Sequence, residues 1–183
     1  MRRLIESTFV SLGGDIGAPQ DWGPPYLFCE EGGRLNQDLL FGADALLLGR
    51  KTYEGLSAGY TAMAAEEAES PSDFVARMNA IPKYVASTTL EEVGWNATLL
   101  DGDVAERVAE LKDQPGEYLL KYGTGPLDRV LLEHGLLDEI HLWIVPVTIG
   151  PGQRLFEDLG ATSLKLVGTR TLSTGVVVLT YQP

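Results

Sequence analysis

Leu46-Leu47-Leu48-Gly49-Arg50-Lys51-Thr52-Tyr53 is the stretch on which the reading of this fold turns. From Ala45 the chain is apolar enough for a short buried strand. That run ends at Gly49, and two cations and a hydroxyl follow where a helix can begin. Glycine lets backbone approach a ligand closely, and the amides at a helix start favour anions. Arg50, Lys51 and Thr52 add charge and donors at the same place, which is chemistry suited to a phosphate. A plain strand end with a solvated Arg and Lys contains the same residues, so the stretch gains its meaning from what repeats it elsewhere.

Two other strands end in similar terms. Tyr84-Val85-Ala86 delivers Ser87-Thr88-Thr89, and Tyr118-Leu119-Leu120 delivers Gly123-Thr124-Gly125-Pro126. In an open α/β sheet a ligand lies beyond the carboxyl ends of the strands, so three such ends can share one crevice. Gly123 and Gly125 lack the third glycine and the acidic residue about 20 positions on that a Rossmann fingerprint needs. They read as a pyrophosphate turn at a helix start, or as an ordinary strand-to-helix turn.

Outward from these landmarks, residues 3–12 read as a strand closed by Gly13-Gly14-Asp15, with a Gly- and Pro-rich loop running to Pro25. Loops of that length are often functional. Leu35, Leu39 and Leu40 have helical spacing up to Gly42. The small, polar and acidic residues 57–73 read as a surface excursion. Asp103 and Glu106 form a capping pair for a helix with Val104, Val108 and Leu111 on one face. Pro115-Gly116 ends it. Pro126 suits the first turn of a helix carrying Leu127, Val130 and Leu131, and His134-Gly135 suits its end. Ile140–Val147 is apolar on both faces, and Leu164–Leu172 and Val176–Tyr181 flank a hairpin turn at Ser173-Thr174-Gly175. Strands alternating with helices, then a hairpin, predict an α/β sandwich with a mainly parallel sheet and an antiparallel C-terminal hairpin, with residues 1–183 as one domain.

The chain has 14 basic and 26 acidic residues and a net charge of −12, which disfavours nucleic acid and anionic membrane as partners. No stretch approaches the ~20 apolar residues of a membrane span, and the N-terminus has no long apolar segment. The expectation is a cytoplasmic protein with a small-molecule substrate. Cys29 is the sole cysteine and reads as an apolar filler; with two distant histidines, no metal site is expected. His134 fits a helix C-terminus, and His141 a core or interface strand. Trp143 reads as core or dimer interface. Trp22, on the Gly/Pro loop, is either a substrate contact or a loop anchor.

The order of landmarks resembles the dihydrofolate reductase superfamily: Ser11-Leu12-Gly13-Gly14-Asp15, a loop with Trp22, Leu48-Gly49-Arg50-Lys51-Thr52-Tyr53, Lys83-Tyr84-Val85-Ala86-Ser87 and the glycine turn at Gly123. Leu131-Leu132-Glu133-His134-Gly135-Leu136-Leu137-Asp138-Glu139, Pro146-Val147-Thr148-Ile149-Gly150-Pro151-Gly152 and Leu155-Phe156 resemble the reductase domain of the bifunctional riboflavin deaminase-reductase. The resemblance implies a dihydrofolate-reductase-like three-layer sandwich, an NADPH cofactor, a homodimer, and hydride transfer to a small heterocycle or ribosylamino-pyrimidine. It places the cofactor's phosphates on Gly49, Arg50, Lys51 and Thr52, its adenosine end by Ser87 and Thr88, and backbone donors at Gly123, Thr124, Gly125 and Leu127. Arg50 and Lys51 favour NADPH over NADH, because a 2′-phosphate seeks charge-assisted bonds.

Two departures from the pattern bear on the substrate. Gly13 stands where the riboflavin branch has Asp, with Asp15 two residues later. Counted from Trp22 and Pro25, Leu27 stands where dihydrofolate reductases carry an acid; counted back from Gly49-Arg50, that place falls near Gly33, and Glu30 and Glu31 lie between the two. The candidate carboxyls for proton supply are therefore Asp15, Glu30 and Glu31, and Trp22 and Arg154 are the candidate substrate contacts. The absent acid argues against folate. The alternatives are an NADPH-binding sensor without catalysis, an apolar-ligand-binding dimer, and a dihydrofolate reductase proper.

Overall fold

The computed structural model describes residues 1–27, 29–67, 72–157 and 159–183. In chain order the elements are β1 (Arg3–Ser11), α1 (Pro19–Trp22), α2 (Pro24–Leu27), α3 (Glu30–Gly42), β2 (Ala45–Gly49), α4 (Arg50–Glu66), α5 (Asp73–Ala80), β3 (Lys83–Ala86) and β4 (Ala97–Leu99). They continue with α6 (Val104–Asp113), β5 (Tyr118–Tyr122), α7 (Pro126–Glu133), β6 (Glu139–Val145), β7 (Lys165–Thr171) and β8 (Val177–Gln182). The strands form one sheet in the order β4-β3-β2-β5-β1-β6-β8-β7. Every pairing from β4 to β6 is parallel; β8 runs antiparallel to β6, and β7 to β8. The expected mainly parallel sheet with an antiparallel hairpin is present.

Side-chain alternation along the strands divides the core into two layers. Ile5, Leu46, Leu48, Leu120, Trp143 and Val145 pack with Leu39, Leu40 and Met78 of α3 and α5. Leu4, Leu47, Leu119, Ile140 and Leu142 pack with Val108, Leu111 and Leu131 of α6 and α7. Helices therefore cover both faces, which is why the central strands read as unbroken apolar runs.

Several expectations are corrected. The Gly/Pro loop carries two single helical turns, α1 with Pro19 in its first turn and α2 beginning Pro24-Pro25. Residues 57–66 are not a surface excursion but the body of α4, rich in alanine, the best helix former. Residues 68–71 of that excursion lie outside the described residues. α5 and the short edge strand β4 had no clear sequence signal; α5 is capped by Ser72, whose Oγ accepts from the Val75 N–H at 3.4 Å. Cys29 packs against the first core layer as expected and also caps α3, its Sγ accepting from the Gly32 N–H at 3.3 Å.

Trp143 belongs to the chain's own core. It is 1% exposed, meets the Phe9 ring edge-on at 5.4 Å, and donates from Nε1 to Ser7 Oγ at 3.0 Å. β6 lies third from the sheet edge and both its faces are covered within the chain, so Trp143 has no surface to offer a second copy. His134 sits at the C-cap of α7, and His141 faces Glu139 at 2.5 Å. Among the described residues, no helix is long and apolar enough to cross a membrane and no cluster of side chains could hold a metal ion.

Candidate functional site

The three ligand-suited strand ends belong to β3, β2 and β5, which are neighbours in the sheet and parallel, so their exits lie side by side. Gly49 is the N-cap of α4 in extended conformation (φ −78°, ψ 162°) and offers no side-chain cap, which leaves the first amides of a 17-residue helix to other partners. A Cβ at Gly49 would meet nothing within 4 Å. Arg50 is half-exposed and reaches across to β3's exit, donating from Nη1 to Thr89 Oγ1 at 3.2 Å, with its Nε 4.0 Å from Glu54 Oε1. Lys51 is exposed. Thr52 Oγ1 lies 3.3 Å from the place a Cβ on Gly123 would take, so the exits of β2 and β5 touch. Ser87 folds the exit of β3: its Oγ accepts from the N–H groups of Thr89 (3.2 Å) and Leu90 (3.1 Å). Thr88 is exposed beside it.

The glycine turn is built differently from the expectation. The Gly123 N–H donates to the Ser7 carbonyl at 3.1 Å, and the Gly125 N–H to Asp128 Oδ2 at 2.7 Å. Neither is a free donor. Leu127 packs its side chain into the second core layer. Among the described residues the amides of Thr124 and Leu127 carry no hydrogen bond, so they are the donors the turn presents. Gly123 takes φ +70°, a conformation that favours glycine. Gly125 is extended (φ 173°), and a Cβ there would enter open space.

Beneath this turn is a buried ionic triad. Glu6 of β1, Lys121 of β5 and Asp128 of α7 are 0%, 2% and 1% exposed. Lys121 Nζ lies 3.1 Å from Glu6 Oε2 and 2.5 Å from Asp128 Oδ1, and it also donates to the Gly123 carbonyl. Burial pushes the Glu6 pKa up from 4.5 to about 8, against the pull of Lys121 and with help from Asp128. Burial opposes the charge on Lys121, yet the two carboxyls raise its pKa above the ordinary lysine value. None of the three was singled out from sequence. The available signal was charge inside apolar strands, where an ion requires a partner, and an acid three residues after a helix cap.

Asp15 lies just beyond β1, next to β5 in the sheet. It is 2% exposed; its N–H donates to Ser11 Oγ at 3.0 Å and its Oδ2 lies 3.9 Å from Arg154 Nη1. Oδ1 has no hydrogen-bond partner among the described residues. The segment around Arg154 is stitched to the exit of β1 by an Asp15–Arg154 bridge, with Ile16 N–H donating to the Gln153 carbonyl and Leu155 N–H to the Gly14 carbonyl. A small cleft lined by Thr124, Gly125, Gln153, Arg154 and Phe156 joins this corner to the glycine turn. Asp15 and Arg154 thus meet the cofactor candidates.

Glu30, Glu31 and Trp22 take up other contacts. Glu30 pairs with Arg34 at 2.8 Å on the exposed face of α3. Glu31 accepts the Ser173 N–H at 2.8 Å in the hairpin turn, and that backbone bond holds its pKa below the ordinary value. Trp22 is buried, its Nε1 donating to the Gly17 carbonyl at 2.9 Å, so it anchors its own loop instead of facing a substrate. Leu27, one of the two places to which the acid is counted, is 7% exposed in the first core layer.

A helix-covered, mainly parallel sheet of this order, with its candidate site along the carboxyl ends, has the dihydrofolate-reductase-like fold. The Enterococcus faecalis dihydrofolate reductase complexed with NADP(H) aligns with a TM-score of 0.63 at 16% identity, over 98% of this chain and 95% of that one. The chain belongs to the RibD C-terminal domain family, which it matches over residues 2–178. YyaP, an uncharacterised protein of Bacillus subtilis strain 168, is 34% identical over 145 residues, 79% of this chain and 76% of its own. A candidate riboflavin biosynthesis protein from Shewanella sp. PV-4 aligns with a TM-score of 0.70 at 20% identity, covering 98% of both chains. The Thermotoga maritima diaminohydroxyphosphoribosylaminopyrimidine deaminase/5-amino-6-(5-phosphoribosylamino)uracil reductase aligns with a TM-score of 0.66 at 13% identity, over all of this chain and 56% of that one. Family and fold class the chain as a domain of the RibD reductase type.

Proposed function

We propose that this domain is an NADPH-dependent reductase acting on a small heterocyclic or ribosylamino-pyrimidine-type compound. The observation that carries the reading is the convergence of three parallel strand exits on one open helix start bearing Arg50, Lys51 and Thr52. The residues present fit the cofactor: Gly49 and Gly125 leave backbone uncovered, Thr124 and Leu127 present amides, and Arg50 and Lys51 stand at the surface. Arg50, Lys51 and Thr52 would hold the phosphates, Ser87 and Thr88 would border the adenosine, and NADPH when bound would supply a hydride.

At the other end of the cleft, the guanidinium of Arg154 holds an anionic substituent of the substrate, and Asp15 positions it. Oδ1 of Asp15, buried and without a hydrogen-bond partner among the described residues, is the oxygen placed to pass a proton to the substrate. Leu27 supplies no such group, which supports an acceptor other than folate.

The test is paired titration with NADPH and NADH, followed by a panel of heterocyclic acceptors monitored by loss of NADPH absorbance. NADPH binds more tightly than NADH, and Arg50→Ala/Lys51→Ala removes the preference, each charge-assisted bond being worth about 1.5–3 kcal/mol. Equal wild-type affinities overturn the cofactor assignment. Tight NADPH binding with no acceptor reduced supports a sensor without catalysis.

A further inference from the structure

The triad of Glu6, Lys121 and Asp128 holds two carboxyls and one ammonium almost wholly out of solvent. With both carboxyls ionised it has a net charge of −1, and an unbalanced buried charge is costly. Its contacts are also directed upward. Lys121 holds the Gly123 carbonyl and Asp128 holds the Gly125 N–H, so the triad grips the glycine turn at both ends and leaves the Thr124 amide between them.

We propose that Glu6, Lys121 and Asp128 are positioning residues for the Gly123–Gly125 turn, and that an anion binds there in step with the uptake of one proton by the buried carboxyl pair. The inference rests on the reading of this turn as part of a phosphate site. An anion above the turn and a net negative triad below it repel each other across a region that excludes water, and one proton on the carboxyl pair removes the excess charge. Glu6 is where that proton resides. Lys121 from β5 and Asp128 from α7 are the charged groups that face it; β6 sets Ile140 opposite it, and its own strand offers only a long contact from Thr8 Oγ1 at 3.4 Å. Its raised pKa places the coupling on the alkaline side of neutrality.

The experiment is calorimetric titration of the full chain with NADPH from pH 7.5 to 9.5, where the 2′-phosphate stays a dianion. Each pH is run in two buffers of different ionisation enthalpy. The wild type takes up close to one proton per NADPH at the alkaline end, and its Kd rises by about tenfold or more across the window. Glu6→Gln, which carries a permanent neutral group, shows no proton uptake and a flat Kd. Lys83, pulled down to about 8 by burial and by Arg77, titrates in the same range, but it lies two strands from β5 on the other face of the sheet, over the Trp95 ring, and it remains in the variant, so the comparison separates the two. If Glu6→Gln does not fold, Asp128→Asn replaces it, since asparagine keeps an oxygen for the Gly125 N–H. A wild-type Kd independent of pH without proton uptake, or a neutralised variant with the wild-type profile, overturns the proposal. No NADPH binding at any pH overturns the cofactor reading itself.

Discussion

Gly125→Val separates a turn that serves a ligand from a turn that serves only the chain. At Gly125 the backbone is extended, with φ 173° and ψ −166°, which valine adopts without strain, and its new Cβ would have no neighbour within 4 Å. The hydrogen bond from the Gly125 N–H to Asp128 survives, because it uses backbone. The cost to folding is therefore small, within about 0.5 kcal/mol. The added methyls instead stand in the cleft beside the free Thr124 amide and keep a phosphate from reaching it. Losing one charge-assisted bond of about 1.5–3 kcal/mol raises Kd about 10- to 150-fold. Gly123→Ala is the contrasting change: φ is +70° and the methyl would lie 3.3 Å from Thr52 Oγ1, so it costs about 1–2 kcal/mol of stability. Calorimetry with NADPH and thermal unfolding on both variants decide the matter. A folded Gly125→Val protein that binds NADPH at wild-type affinity refutes the reasoning.

Two further outcomes concern stability. Trp143→Ala leaves a large void and strands the Ser7 hydroxyl, costing about 3–5 kcal/mol in urea unfolding; because the ring is internal, sedimentation of the folded variant matches wild type, whatever the oligomer, and a dimer lost on this substitution contradicts the placement. Glu6 has a folded pKa raised above its unfolded value, so its contribution is fully present below about pH 4.5 and is lost as the pH rises towards 8. Wild-type stability accordingly falls over that interval relative to Glu6→Gln, and parallel urea curves for the two proteins across pH 5–8 contradict this.

The elements that sequence made legible are those whose signals are local. β2, β5 and α7 are bounded by glycine and proline at positions where those residues have definite meanings, and Asp103 Oδ1 does accept the Glu106 N–H at 3.0 Å. α5 and β4 were missed because they are short and owe their order to tertiary contacts, such as Trp95 stacked on Tyr60 and donating to Asn79 Oδ1 at 2.7 Å. The same division holds in the site. The phosphate-suited residues of the β2 exit lie together in sequence, so their grouping was legible there. The partner of Glu31, Ser173, lies far along the chain, and the choice between loop anchor and substrate contact for Trp22 turns on a loop that coils back onto Gly17, so neither contact was legible in sequence. The triad escaped for the same reason: each charge was visible alone, but only the pairing of β1 with β5 brings Glu6 opposite Lys121.

That pairing also governs how the molecule comes together. β1 is the first strand in the chain yet lies between β5 and β6, registering Ile5 with Leu120 on one side and with Glu139 on the other. During synthesis Leu4, Ile5, Phe9 and Val10 leave the ribosome long before either neighbour exists, so an apolar segment must wait with its backbone unpaired. Closing the sheet around it is a late, long-range event of the kind that folds slowly. Because β1 also supplies Glu6 and leads directly into Asp15, the support beneath the turn and the corner proposed to pass a proton are completed in that same step. A partly folded chain therefore lacks both, and binding competence arrives with the centre of the sheet.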